Sequence, residues 1–172
     1  KTRYQGGASA WAENMDLMFT FRGIPCIYYG SEIEFKKDVP IDVGPNAPLD
    51  KTGRAYFGDH LEGSVTADDY GKYTASGTVA STLDAPLSKH LEKLNQIRRA
   101  VRALQKGQYT TESNYVDGNM AYIRRYTNSS VDSLACVTIS GDATFKGLPN
   151  GTYIDAVTGD KKVVTGGTLS TS

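Results

Sequence analysis

Two stretches of the chain repeat apolar residues with the period of an α-helix. The first predicts a largely buried helix over 7–22, which Gly23 ends. The second predicts a helix over 86–106, which Gly107 ends. The apolar stripes that carry these predictions are Ala8, Trp11, Met15 and Met18 in the first helix, and Leu87, Leu91, Leu94, Ile97, Val101 and Leu104 in the second.

A short apolar run, 24–29, follows the first helix and stops at Gly30. Its length and continuous apolar character predict a buried strand of the parallel type. One strand cannot make a parallel sheet, so we expect its neighbours to lie outside this sequence. The chain also begins without Met, and we expect it to be a piece of a longer protein.

Residues 31–83 hold no sustained period, which predicts a long functional loop or one with small elements of its own.

The character of the sequence changes after Gly107. From 108 onward, β-prone runs alternate with turn signals about every ten residues, which predicts antiparallel strands. These runs are 109–112, 121–126, 133–139, 151–156 and 161–165.

Composition excludes several classes of function. The 172 residues carry 19 Lys and Arg against 19 Asp and Glu, so no basic surface for nucleic acid or an anionic membrane is indicated. No apolar segment reaches the roughly 18 residues of a membrane span. Cys26 and Cys136 are predicted to be unpaired and partly buried, and the two histidines, His60 and His90, stand apart from other metal ligands.

The region around the predicted strand resembles a known family. Residues 23–32 read Gly23-Ile24-Pro25-Cys26-Ile27-Tyr28-Tyr29-Gly30-Ser31-Glu32. They resemble the eighth-strand segment of the α-amylase family of glycoside hydrolases, whose pattern is Gly-(Ile/Val)-Pro, apolar residues, Tyr-Tyr-Gly, one variable residue and Glu. The stretch 94–99 is similar to the family's eighth helix, and 147–159 to a hairpin of its C-terminal β-domain.

This resemblance implies an α/β region followed by an all-β region. Residues 1–107 would be the terminal part of a (β/α)8 TIM barrel, with its seventh helix, eighth strand and eighth helix. Residues 108–172 would form an antiparallel Greek-key β-sandwich. Family members hydrolyse α-1,4-glucosidic bonds of starch with retention, using a carboxylate nucleophile and a carboxylic acid. Those carboxylates would precede Lys1, so no catalytic residue is assigned in this chain.

The resemblance also implies substrate contacts. Asp50 and Arg54 keep the spacing of a family Asp–Arg pair that contacts a glucose unit, and Arg54 offers several fixed donors to sugar hydroxyls. Tyr56 is an aromatic residue that could stack on a sugar ring. Glu32 is a further sugar ligand by position. The competing interpretations are an exposed turn with an ion pair for Asp50 and Arg54, loop packing for Tyr56, and a structural carboxylate for Glu32.

The implied partners are an α-glucan, such as starch or a maltooligosaccharide, and the N-terminal remainder of the barrel, either in the same protein or as a separate chain. No cofactor is expected in this chain, although the family allows calcium in the longer protein. Starch is too large to enter cells, so secretion is implied. Two alternatives stay open: a transglycosylase of the same family that makes cyclic or rearranged maltodextrins, and a noncatalytic carbohydrate-binding or structural fragment.

Overall fold

The computed structural model of the protein describes residues 1–35, 37–48, 51–54, 65–69, 72–75, 81 and 83–172. The chain divides into two compact units, which we treat separately. The first unit comprises Lys1–Ala12 and Cys26–Glu92, and the second comprises Glu13–Pro25 and Lys93–Ser172. Every residue of the second unit is described.

The described residues form a mixed α/β protein with a β-rich C-terminal region. The helices are α1 (Gly7–Thr20), a short 3-10 helix (Ser31–Ile33), α2 (Pro86–Ala100) and α3 (Arg102–Lys106). The strands are β1 (Val65–Asp69), β2 (Lys72–Ala75), β3 (Gln108–Thr110), β4 (Val116–Gly118), β5 (Ala121–Thr127), β6 (Asp132–Thr138), β7 (Ala143–Phe145), β8 (Gly151–Ile154), β9 (Lys161–Val164) and β10 (Leu169–Ser170).

Helix α1 confirms the first apolar period, but it ends at Thr20 rather than at 22. The last carbonyls of an α-helix have no partner within the helix. Here the Arg98 guanidinium supplies one, donating to the carbonyl oxygen of Phe19 at 2.7 Å and to that of Gly23 at 2.8 Å. Burial lowers the pKa of Arg98. The cation also lies at the negative end of the helix dipole, where it is favourable.

A second arginine completes this end of α1. Arg124, on β5, is only 2% exposed and donates from Nη1 to the Thr20 carbonyl oxygen at 2.9 Å. Its Nε and Nη2 both donate to the carbonyl oxygen of Gly107, at 3.2 and 2.8 Å. Nearby, the hydroxyls of Thr20 and Tyr122 lie 2.5 Å apart. Desolvation lowers the pKa of Arg124, and the neighbouring charge of Arg98 lowers it further.

The helix predicted over 86–106 is present but divided. Val101 has an extended backbone (φ −106°, ψ 104°) and separates α2 from α3. The amide of Gln105 donates to the carbonyls of Arg98 at 2.8 Å and Arg99 at 2.9 Å, which α2 leaves without partners at its end. Apolar periodicity continues through the break and therefore does not reveal it.

The predicted strand over 24–29 is not formed. A strand needs a ladder partner, and none of the described residues pairs with this run. Side chains take its carbonyls instead. Arg3 donates to the carbonyl of Tyr29 at 2.5 Å, and the Ser31 hydroxyl donates to that of Tyr28 at 2.6 Å. Part of the predicted 31–83 loop does carry small elements, namely the 3-10 helix and the β1–β2 hairpin.

The second unit contains three antiparallel sheets, with strand orders β3-β5-β6, β10-β7-β4 and β8-β9. All five predicted β runs are present as strands, and each observed end lies within two residues of the predicted one. Three short strands, β4, β7 and β10, were not predicted. Gly118 lies between two of the predicted β runs, yet it pairs with Ala143. A Cβ at Gly118 would lie 2.5 Å from the Ala143 Cβ, so the close pairing depends on glycine.

One apolar cluster joins all three sheets of this unit. Its buried members are Val116, Ala121, Ile123, Ala143, Phe145, Leu148 and Val164. Half-buried Cys136 packs against it, and burial raises the pKa of this thiol to about 12. Both cysteines are free, as predicted, although Cys26 is exposed rather than partly buried. Among the described residues, no helix is both long and apolar enough to cross a bilayer.

Arg124 and Arg125 are adjacent on β5 and give a matched test of the buried guanidinium. We expect Arg124→Met to lower the free energy of unfolding by about 3 kcal/mol, because two carbonyls lose charge-assisted donors. Arg125 is exposed and pairs with Asp132 at 2.7 Å, so Arg125→Met should cost less than about 1 kcal/mol. Urea unfolding followed by circular dichroism measures both. Equal costs would contradict the role assigned to Arg124.

Candidate functional site

Arg3 is the centre of the first unit. Its side chain is buried, and its guanidinium donates to the carbonyl oxygens of Gly53 at 3.0 Å and Tyr29 at 2.5 Å. Its main chain exchanges hydrogen bonds with the segment at 38–39, at 3.0 and 3.1 Å. One residue thereby connects the start of the chain, the Tyr-Tyr-Gly segment and the segment at 52–54. No carboxylate among the described residues pairs with this cation.

Tyr4 supports the same segment from inside the unit. It is 2% exposed, and its hydroxyl donates to the carbonyl oxygen of Gly30 at 3.1 Å. Its ring meets that of Trp11 edge to face, with centroids 4.7 Å apart. Burial raises the pKa of Tyr4, and the negative charge of Glu32 acts in the same direction. Arg3 and Tyr4 therefore hold the Tyr-Tyr-Gly segment together from its buried side.

Tyr28 and Tyr29 form an aromatic pair at the surface. Their ring centroids lie 4.6 Å apart with a tilt of 30°, and the two residues are 50% and 40% exposed. The guanidinium of Arg3 lies 5.2 Å from the centroid of the Tyr28 ring, within the range of a cation–π contact. Because this segment is not a strand, the two side chains do not have to alternate, and both are exposed.

The aromatic pair is connected to Arg54. The Tyr29 hydroxyl donates to the main-chain carbonyl oxygen of Arg54 at 3.0 Å, and the Arg54 amide donates to the Thr52 hydroxyl at 3.1 Å. The side-chain hydrogen bond with Tyr28 raises the pKa of Tyr29, with a smaller contribution from desolvation. Arg54 itself is exposed. The first unit thus has two exposed aromatic rings and an exposed arginine close together in one region.

The four predicted contact residues are placed unequally. Arg54 adjoins the tyrosine pair, as described. Glu32 is half-buried in the 3-10 helix, and its main-chain carbonyl accepts a hydrogen bond from the Ser88 hydroxyl at 3.2 Å. Asp50 and Tyr56 lie outside the described residues. Their roles stay predictions, as does the role of the Glu32 carboxylate.

This arrangement suits the binding of a neutral polyhydroxylated ring better than bond cleavage. Exposed tyrosine rings offer apolar faces on which the C–H face of a sugar can stack, and a guanidinium offers several fixed donors to hydroxyls. No group of three or more His, Cys, Asp or Glu side chains that could hold a metal ion is found in the described part of the chain. The described residues of this site thus offer aromatic faces and hydrogen-bond donors.

Sequence reasoning missed the central role of Arg3. The sequence pattern gave Arg3 no role. The Gly53 carbonyl that accepts from Arg3 is 50 residues away in sequence, and no local pattern reports so distant a partner. The aromatic pair is visible in the sequence as Tyr28-Tyr29 directly before Gly30.

Comparisons with known proteins give no assignment. No model of a known protein family matches the chain, and no curated protein matches it. The site must therefore be interpreted from its own residues.

Gly53 offers a test of how tightly this site is packed. A Cβ at Gly53 would lie 2.8 Å from Ile41 Cγ2 and 2.9 Å from the Val39 carbonyl oxygen, which is main chain and cannot turn aside. We expect Gly53→Ala to lower the free energy of unfolding by about 1–3 kcal/mol. At Gly166 a Cβ would meet nothing within 4 Å, so Gly166→Ala should change it by less than about 0.5 kcal/mol. Chemical denaturation compares the two, and an unaffected Gly53→Ala would contradict the packing.

Proposed function

We propose that this chain is the C-terminal part of an α-amylase-type glycoside hydrolase and contributes contacts to an α-glucan. The observation that carries the proposal is the exposed pair Tyr28 and Tyr29, held beside Arg54 by a 3.0 Å hydrogen bond and supported by buried Arg3. The same tyrosines belong to the 23–32 motif that resembles the family's eighth-strand segment. The chemistry of the surface and the sequence motif therefore indicate the same class of ligand.

The finer architecture belongs to this proposal. Residues 1–107 would complete a (β/α)8 barrel whose remaining strands come from outside the sequence. Those strands would supply the ladder partners that the 24–29 run lacks here. Residues 108–172 would be the Greek-key sandwich that follows the barrel. In such a barrel the site lies at the carboxyl ends of the strands, where the loop that carries Arg54 would face the substrate.

The reaction would be retaining hydrolysis of α-1,4-glucosidic bonds. The nucleophile and the acid would come from the part of the barrel before Lys1. The residues of this chain would hold and orient glucose units by stacking on the tyrosine pair and by hydrogen bonds from Arg54. Calcium, if the longer protein binds it, would be held there as well, and secretion follows from the size of the substrate.

A noncatalytic carbohydrate-binding function is the second candidate, and the geometry of the tyrosine pair favours it over a purely structural role. Two adjacent exposed rings, 4.6 Å apart between centroids, offer an aromatic surface to a ligand. A transglycosylase would use the same glucose contacts. A transglycosylase passes the glycosyl group to a second sugar, whereas a hydrolase passes it to water. The products of the reaction therefore distinguish the two enzymes, and this site does not.

Catalysis is tested on the protein that carries this chain in its native length. Intact-mass analysis should show either a longer polypeptide or a partner chain, and soluble starch should yield reducing ends with the α-anomeric configuration by NMR. Cyclic products would indicate the transglycosylase. A native protein of 18.6 kDa without hydrolysis would exclude the enzyme and leave the binding function.

Glucan binding is tested on the 172-residue chain itself with maltoheptaose in a calorimetric titration. We expect Arg54→Ala to weaken binding by about tenfold or more, the value of one hydrogen bond from a charged donor. Arg102 is also exposed but lies on α3, so Arg102→Ala is the matched control and should bind like the wild type. Binding that is absent in the wild type, or unchanged by Arg54→Ala, would contradict the site.

A further inference from the structure

A second surface of the molecule has the properties of a ligand groove. It lies in the second unit, has a volume of about 390 Å³, and opens between β3, β5 and β6 on one side and the segments flanking β4 and β7 on the other. Binding pockets for small molecules begin at roughly 300 Å³. The groove therefore has room for a ligand of one or two sugar rings.

The floor of the groove is apolar and its wall is aromatic. Ile123 and Leu148 are buried members of the core, and half-buried Leu134 adjoins them. Tyr115 is 42% exposed and lines the groove. A Cβ at Gly147 would lie 3.1 Å from two atoms of the Tyr115 ring, so the ring rests directly on the main chain. The tyrosine is thus held in position before any ligand arrives.

Polar groups are arranged along one edge of this floor. Gln108 and Thr110 alternate with Tyr109 on β3, so they point to the same side of the sheet. They pair in register with Arg125 and Ile123 of β5, which line the same groove. An amide and a hydroxyl both donate and accept hydrogen bonds, as the hydroxyls of a sugar require.

The charges of the groove favour a neutral ligand over an anion. Arg125 donates to both carboxylate oxygens of Asp132, at 2.9 and 2.7 Å, so its charge is compensated. The hydrogen bond from Arg125 also lowers the pKa of Asp132, which favours the ionised carboxylate. Lys146 is the remaining cation in the lining, and it is exposed to solvent. One solvated lysine gives little attraction for an anion at physiological salt.

We infer that this groove is a second contact for the α-glucan, with one glucose unit stacked on Tyr115 and its hydroxyls bonded to Gln108 and Lys146. The choice of ligand rests on the proposed function, whereas the groove itself rests on its own geometry. This contact lies wholly in the second unit and shares no residue with the tyrosine pair of the first unit.

The test is a titration of the ¹⁵N-labelled full chain with maltotriose, followed by amide chemical shifts. We expect a set of shifts at Gln108, Lys146 and Gly147, separate from the set at Gly30 and Arg54 that reports the first site. Tyr115→Ala should raise the dissociation constant of the groove set by about tenfold or more, the effect of losing one aromatic anchor. Tyr115→Phe keeps the ring and should bind within about threefold of the wild type.

Gln108→Ala should weaken the groove set, whereas Gln5→Ala, the same change at an exposed position of the first unit, should not. Because Tyr115→Ala removes a ring that packs against the main chain, the amide spectrum of this variant is checked for folding. If it is unfolded, the comparison of Tyr115→Phe with Gln108→Ala provides the test. Shifts at Gly30 and Arg54 without shifts in the groove overturn this inference and leave the proposed function intact.

The reverse result, with groove shifts alone, supports the groove and contradicts the first site. A titration with inorganic phosphate covers the anionic alternative. Groove shifts with phosphate but not with maltotriose would overturn the glucan assignment. No shift at either site with maltotriose would overturn both proposals.

Discussion

Guanidinium groups, two of them buried and one half-buried, bond to main-chain carbonyls and connect distant segments within each unit. Arg3 serves the first unit in this way, and Arg98 and Arg124 serve the second. A buried charge is costly unless it is hydrogen-bonded, and a carbonyl without a donor is costly too. Joining the two removes both costs at once. The planar fork of arginine can reach carbonyls in segments that no secondary structure connects, which a lysine could do only as a single point charge.

This constraint explains why the candidate site can be at the surface and still be ordered. Tyr28 and Tyr29 belong to no helix or strand, and regular backbone hydrogen bonds do not fix them. Arg3 and Tyr4 bind the carbonyls of this segment from the buried side, and Tyr29 in turn binds the carbonyl of Arg54. The rings therefore keep their positions without being covered. A pre-ordered aromatic surface loses little conformational entropy when a sugar binds.

Sequence reasoning succeeded where one local period decides the structure. The apolar stripes predicted α1 and α2, and turn residues separated the strands from β3 onward. It failed where the decisive partner is distant. The run at 24–29 has the composition of a strand, but a ladder needs a second strand, and side chains took its carbonyls instead. Val101 breaks a helix whose stripe continues unbroken, and Gly118 pairs closely with Ala143 although glycine usually signals a turn. At the site, the role of Arg54 was expected from the family resemblance and stays a prediction, whereas the role of Arg3 depends on Gly53, 50 positions away.

Two glucan contacts on one chain would act together on a polymer in a way that neither achieves alone. Each consists of a tyrosine surface with a few hydrogen-bond donors, a combination that binds single sugar units weakly. If one contact held a chain of glucose units that also reached the second, the second would meet the same polymer at a high effective concentration, and avidity would rise without any new interaction. A short oligosaccharide that cannot reach both contacts gains nothing from the second. The preference for long over short glucans would then arise from the spacing of two weak sites and not from the strength of either.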